Sequence, residues 1–259
     1  MGTIKYGWRP DIPDHRDHVF SAVLPPATIP QSVDLRQWFP TAFNQFNLGS
    51  CTAQAVAAAI EFYQIRNRIE IFLPSRLFIY YNERVLEGTV NEDAGATLRS
   101  GIKCVNRYGV CPEKEWAYDV LKYAVKPPTA CYTHALNHQV LAYQRIYAGD
   151  LVAMKSCLAQ GFPFVFGFAV YESFDQAAVG GIVPMPSLSE AQLGGHAVVA
   201  AGYNDSTVAV NGVPPKHFII RNSWSPRWGV NGYCYMPFEY VGNSNLADDF
   251  WSIRQVEAG

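Results

Sequence analysis

Apolar and polar positions fall into two regimes along this chain. Between about 41 and 107 the apolar residues recur at helical spacing. Thr52–Arg68 (TAQAVAAAIEFYQIRNR) sets Val56, Ile60 and Tyr63 on roughly one face and predicts a helix. Pro74–Glu87 predicts a second, with Pro74 near its start and Gly88 at its stop, and Ala96–Tyr108 between Gly95 and Gly109 a third. Residues 112–138 are rich in proline and tyrosine and read as mostly irregular, with a short helix around His134 and His138. From about 140 the texture changes. Short apolar runs between Gly, Asn and Pro turns predict strands over Val140–Tyr147, Pro163–Tyr171, His196–Tyr203, Lys216–Arg221, Gly232–Met236 and Phe250–Val256. One helix, Asp150–Gln160, interrupts them. The expectation is an α+β chain in three segments. Residues 1–28 form a charged, proline-broken arm, 29–139 a helical subdomain and 140–259 a β-rich subdomain. A cleft between two unlike halves is a common place for a site.

Composition narrows the function classes. Hydrophobic residues make up 49% of the chain, enough for a sizeable core. A net charge of −2 leaves no basic surplus to suggest nucleic acid or an anionic membrane as partner. The longest nearly uninterrupted apolar run, Gly161–Tyr171, is too short to span a bilayer, and the first twenty residues lack the apolar stretch of a secretory signal. There are six cysteines. Cys104 and Cys157 fall in predicted helices and read as core, whereas Cys111 and Cys131 stand in loop-like sequence and form a candidate pair. Without a Cys-x-x-Cys pair, neither a metal nor a cofactor is expected. Cysteine usage slightly favours a reducing compartment such as the cytoplasm, and a monomer is expected.

Cys51 is the exception among the cysteines. It sits where the turn Asn47-Leu48-Gly49-Ser50 runs into the first helix. Unpaired N–H groups and the helix dipole there favour an anion, which lowers a thiol's pKa and makes a nucleophile. A buried structural cysteine is the alternative reading of Cys51 taken alone. A nucleophile needs a base. His196 follows Gly194-Gly195 and opens an apolar strand, whereas His15, His18, His134 and His138 read as solvated surface, and His217 as solvent-facing. Phe218–Tyr233 (FIIRNSWSPRWGVNGY) offers Asn222 to hold an imidazole and Trp224 to shield that bond.

Taken together, Gln45, the Gly-Ser-Cys at 49–51, Gly195-His196 and Asn222-Ser223-Trp224 with Trp228-Gly229 resemble the papain family of cysteine peptidases (clan CA, C1) over about residues 29–256. The interval from Cys51 to His196 suits that family; the longer one to Asn222 is absorbed by an enlarged hairpin at Asp205–Pro215. Leu48 and Thr52 stand where the family usually has cysteine and tryptophan, so a disulfide anchored at 48 is impossible. The short N-terminal segment resembles the prokaryotic and viral, xylellain-like branch. The resemblance implies a two-subdomain fold, the helical half packed on a barrel-like β half. It also implies an endopeptidase acting on peptides or proteins. Cys51 is the implied nucleophile, as a thiolate paired with the His196 imidazolium and passing through an acyl-enzyme. Asn222 orients His196, and Gln45 with the Cys51 N–H forms the oxyanion hole. Gly95, with Ala94 beside it, forms a wall for extended substrate, or else Gly95 is a plain turn before a helix. The alternatives are a catalytically silent binding protein, an exopeptidase or an acyl transferase. The arm over 1–28 has two readings, a linker packed on the body or a zymogen-like segment lying in or across the cleft.

Overall fold

Cap chemistry sets the helix boundaries in this computed structural model, which describes residues 4–258. Residues 1–3 of the arm and Gly259 lie outside the described residues. Helix α1 (Cys51–Asn67) begins at Cys51 itself and stops at Arg68, whose φ of 55° is left-handed. In α2 (Arg76–Glu87) the Ser75 hydroxyl accepts the Phe78 N–H, and Gly88 (φ 72°) ends the helix. In α3 (Leu98–Tyr108) Thr97 does the same for Ser100. A short α4 (Thr129–Ala135) follows, and Asp150 caps α5 (Leu151–Ala159). Helix α1 is buried on every side through Phe62 rather than along one face. Its alanines at 53, 55, 57, 58 and 59 let the backbone lie close against its neighbours.

The strands are β1 (Ser32–Asp34), β2 (Val140–Ile146), β3 (Phe164–Tyr171), β4 (Gln192–Asn204), β5 (His217–Arg221), β6 (Tyr233–Pro237) and β7 (Ala247–Val256). A one-turn α6 (Phe238–Val241) precedes β7. Strand order is β2-β7-β3-β4-β5-β6, and β1 pairs with the far end of β4, so the chain ahead of the helices adds a strand to the sheet. In β3, Val165 packs in the cluster that holds α1, together with Ala197, Val199 and Trp251. Phe164, Phe166, Phe168 and Val170 pack in the other, with Met154 and Leu158 of α5. Side chains of a strand alternate between faces, and here both faces are covered, which is why FVFGFAVY reads as one apolar run.

The barrel-like β half expected above is corrected here. Closure requires the two end strands to pair, but β2 and β6 lie at opposite ends of the path and share no ladder among the described residues. The arm takes part of the free edge of β2 instead. The Phe20 N–H donates to Arg145 O (2.8 Å) and the Arg145 N–H to His18 O (2.7 Å). Farther on, the Leu24 N–H reaches Ser156 Oγ at 3.0 Å. Two histidines also differ from expectation. His138 is buried against Phe72, and His217 is buried with Nδ1 2.7 Å from Pro214 O. Among the described residues no helix is long and apolar enough to cross a membrane.

Candidate active site

The N-terminus of α1 and the middle of β4 meet at Cys51 and His196, both fully buried. The Cys51 sulfur is approached by backbone N–H groups of Ala197, Gly7 and Thr52. Ser50 stands at the N-cap without capping α1. Its hydroxyl pairs with the Tyr118 hydroxyl (2.6 Å) and accepts from Gln54 Nε2, which ties the start of α1 to the 111–118 segment.

Hydrogen bonding settles the imidazole tautomer. The Ser223 N–H donates to Asn222 Oδ1 at 2.7 Å, which fixes the amide's orientation. His196 Nε2, 2.8 Å from that same oxygen, must therefore carry a proton. Nδ1 is left buried without a partner, a lone pair available as a base. Trp224 stacks on His196 at 4.7 Å between ring centroids. Burial pushes the Cys51 thiol up to about 11 and the His196 imidazole down to about 4. Burial thus opposes the charged form of each group.

Gln45 is aimed by a neighbour that sequence reasoning passed over. Ser223 Oγ donates to Gln45 Oε1 (2.7 Å), which turns Nε2 the other way. Nε2 donates to Leu48 O and to Lys5 O, each at 3.1 Å. The signal was present in the serine of Asn-Ser-Trp, beside the residue already singled out.

The carbonyl of Lys5 introduces the arm, which crosses this site. Tyr6 lies 6.2 Å from Trp224 between ring centroids. The Ala96 N–H donates to Gly7 O (2.8 Å), the Trp8 N–H to Gly195 O (2.9 Å) and the Arg9 N–H to Ala96 O (3.1 Å). The wall that bonds the arm is thus the backbone of Ala96. Gly95 (φ +70°) contributes space, since a Cβ there would stand 2.0 Å from Gly7 O. Ala94 is half-buried just before this edge. The Trp8 indole fills a pocket against Gly167 and Gly195 and donates Nε1–H to Asp249 Oδ2 at 3.1 Å. Lys5 pairs with Asp93 (2.6 Å) and Arg9 with Glu87.

The arrangement has known counterparts. The family described as papain family cysteine protease matches residues 29–252. The crystal structure of xylellain, a cysteine protease from Xylella fastidiosa, is similar with a TM-score of 0.88 and 42% identity, covering 96% of each chain. An uncharacterised peptidase C1-like protein of Acanthamoeba polyphaga mimivirus is 43% identical over 97% of this chain and 87% of its own. A procathepsin B from Trypanosoma congolense shares the fold alone, at 17% identity and a TM-score of 0.73, covering 98% of this chain and 87% of its own. On the family match and the likeness to xylellain together, the chain belongs to the papain family of cysteine peptidases and is a cysteine endopeptidase, a hydrolase of peptide bonds.

Proposed function

We propose that Cys51, His196, Asn222 and Gln45 carry out peptide hydrolysis and that residues 5–11 hold the enzyme latent by lying in its cleft. The carrying observation is a mismatch at the nucleophile. Gln45 Nε2 holds the Lys5 carbonyl, as it would hold the oxygen of a scissile bond. The Cys51 sulfur meanwhile meets the N–H of Gly7, two residues further on. The sulfur thus faces the Tyr6–Gly7 amide while Gln45 holds the oxygen of the Lys5–Tyr6 amide, so no single peptide group is set for both attack and oxyanion support, and the arm occupies the site without being cut.

With the arm released, water reaches both buried groups and the desolvation that keeps them neutral falls away. The Cys51 proton then passes to His196 Nδ1, giving the thiolate–imidazolium pair. The thiolate attacks the substrate carbonyl, whose oxyanion is held by Gln45 Nε2 and the Cys51 N–H. The imidazolium gives its proton to the leaving amine, the C–N bond breaks, and His196 then activates water against the acyl-enzyme. Asn222 keeps the ring in its tautomer and Trp224 keeps water from that bond. An extended substrate uses the edge that the arm uses, with Ala96 bonding it, Gly95 leaving room and Ala94 alongside.

Iodoacetamide labelling of Cys51, mapped by mass spectrometry across pH, tests this reading. The intact chain is expected to label slowly throughout. A chain whose arm is displaced is expected to label rapidly even at acidic pH, and to lose that reactivity in His196→Ala. Equal labelling of the two chains would sink the latent reading. Rapid labelling that survives His196→Ala would sink the ion pair.

Latency is also expected to weaken as pH rises. Asp11 of the arm and Asp249 of β7 are buried together. The Asp11 N–H donates to Asp249 Oδ2 (2.7 Å) and Trp251 Nε1–H to Asp11 Oδ2 (3.0 Å). Asp17 and Asp248 stand around them with the guanidinium groups of Arg99 and Arg145, four carboxylates to two cations. Burial, and then the charge of Asp11, push Asp249 up to about 7. Release hydrates both carboxyls and returns them toward about 4. The docked state therefore holds a proton that the released state gives up. Its advantage is complete below the released value and is lost as pH climbs through about 7. The ratio of wild-type kcat/KM to that of an arm-displaced variant is expected to rise from about pH 5 to about pH 8 and to flatten in Asp249→Asn. A wild-type ratio that is flat or falls over that range would refute the carboxylate latch.

A further inference from the structure

Away from the cleft, the loop after α3 and helix α4 bring two thiols and a carboxylate together. Cys111 Sγ, Cys131 Sγ and a carboxylate oxygen of Glu115 all lie within 4.8 Å of one another. His134 Nδ1 is 2.9 Å from Glu115 Oε2. Both thiols are free and buried, whereas Glu115 and His134 reach solvent. We infer that Cys111, Cys131 and Glu115, with His134, form a binding site for a thiophilic divalent cation of the zinc type.

The donor set is what selects the ion. Two thiolates, a carboxylate and an imidazole suit zinc and not calcium or magnesium, which take oxygen. Two sulfurs each about 2.3 Å from a tetrahedral ion stand about 3.8 Å apart, so drawing the two sulfurs and the Glu115 oxygen onto an ion needs side-chain shifts of about 1 Å. Cys131 and His134 lie three apart on α4 and share one face of it. This Cys-x-x-His spacing was legible in the sequence and stands against the absence of a metal expected above. His134 fills the fourth position, or keeps its bond to Glu115 and leaves that position to water.

Charge gives the same answer. As the cluster stands, burial first, and also the charge of Glu115, push both thiols up and hold them protonated. That disfavours the thiolate a disulfide exchange needs. A dication reverses the balance. Two metal–sulfur bonds form, two protons leave to solvent, and no redox partner is required. A disulfide would leave the Glu115 carboxylate beside the sulfurs without a part; the cation uses it as a ligand.

The site would clip α4 to a loop that is fixed at its other side. The Ser75 N–H donates to Cys111 O (2.9 Å), and Arg76 pairs with Glu113 at 2.6 Å. The same loop ends at Tyr118, whose hydroxyl donates to Gln45 O at 2.9 Å.

The test titrates Co2+ alone into the reduced full-length chain carrying Cys51→Ser, which removes the cleft thiol as a competing ligand. One cobalt per chain is expected, with a thiolate-to-cobalt charge-transfer band and the strong visible bands of a tetrahedral ion. Zn2+ should displace it. Cys111→Ser and Cys131→Ser should abolish the charge-transfer band. Should these buried substitutions fail to fold, the solvent-reaching Glu115→Gln and His134→Ala should each weaken affinity about 10–100-fold. No thiolate band in the reduced chain would overturn the proposal, and so would a band indifferent to Cys111 and Cys131. A chain that takes up no cation and is isolated with Cys111 and Cys131 oxidised to a disulfide would overturn it as well.

Discussion

Gly7→Val is expected to raise peptide hydrolysis by about 5–150-fold over the wild-type chain, with the body unchanged. A Cβ on Gly7 would stand 1.9 Å from Gly49 O, a backbone atom at the foot of α1 that cannot swing aside. Gly7 is not among the residues with positive φ, so the substitution brings a clash and no intrinsic backbone strain. Forcing a group into a packed interface costs about 1–3 kcal/mol, which corresponds to that range in the populated open state. The rise should appear in kcat/KM for a short peptide at neutral pH. Ile12→Ala is the control, because Ile12 is on the same arm but 83% exposed. A Gly7→Val chain that folds, binds no better and cuts no faster than wild type would refute latency by the arm. Equal gains from both variants would show that the arm merely loosened.

Gln45→Ala is expected to lower kcat by about 10²–10³, provided that it is measured in the Gly7→Val background. The background matters because the proposed mechanism gives Gln45 two parts. In the intact chain its Nε2 also grips the arm through Lys5 O, so its loss should open the cleft while crippling the chemistry. The two effects have opposite signs and would partly cancel. With the arm displaced only the catalytic loss remains. KM should change little, since a donor aimed at a developing oxyanion serves the transition state rather than the ground state. Ser223→Ala should reproduce a small part of this loss, about 3–10-fold, by freeing the Gln45 amide to turn. A Gln45→Ala loss confined to KM would remove Gln45 from the oxyanion hole.

Much of the site could be read from the chain because its members sit in strong local signals. Cys51 opens a helix behind a Gly-Ser turn, His196 follows two glycines into an apolar run that lies inside β4, and Asn222 follows the apolar β5 run. Caps at Ser75, Thr97 and Asp150 likewise place three helices to within two residues of where their spacing predicts them. What escaped depends on partners far off in sequence. Nothing local to Tyr6-Gly7-Trp8 says that it will lie between Ala96 and Gly195. Nothing local to Asp11 says that it will be buried against Asp249. β1 is only three residues long and exists because β4 offers it an edge. The β half was expected to close like a barrel, but closure is decided by whether two distant strands meet, and β2 meets the arm instead. His217 was misjudged because Lys216 beside it is polar, while its own ring is held by the Pro214 carbonyl of the enlarged hairpin.

The hold of residues 18–20 on the edge of β2 has a kinetic consequence. On the proposed latency, the stretch at 5–11 is tethered a few residues from a second, separate anchorage on the body. Its return to the cleft is therefore a unimolecular event, at an effective concentration on the order of millimolar that dilution cannot lower. A single cut between Ile12 and His18 would make the same contacts bimolecular. The freed peptide would then leave on dilution and stay away, so one nick in an exposed stretch turns a reversible closure into a permanent opening.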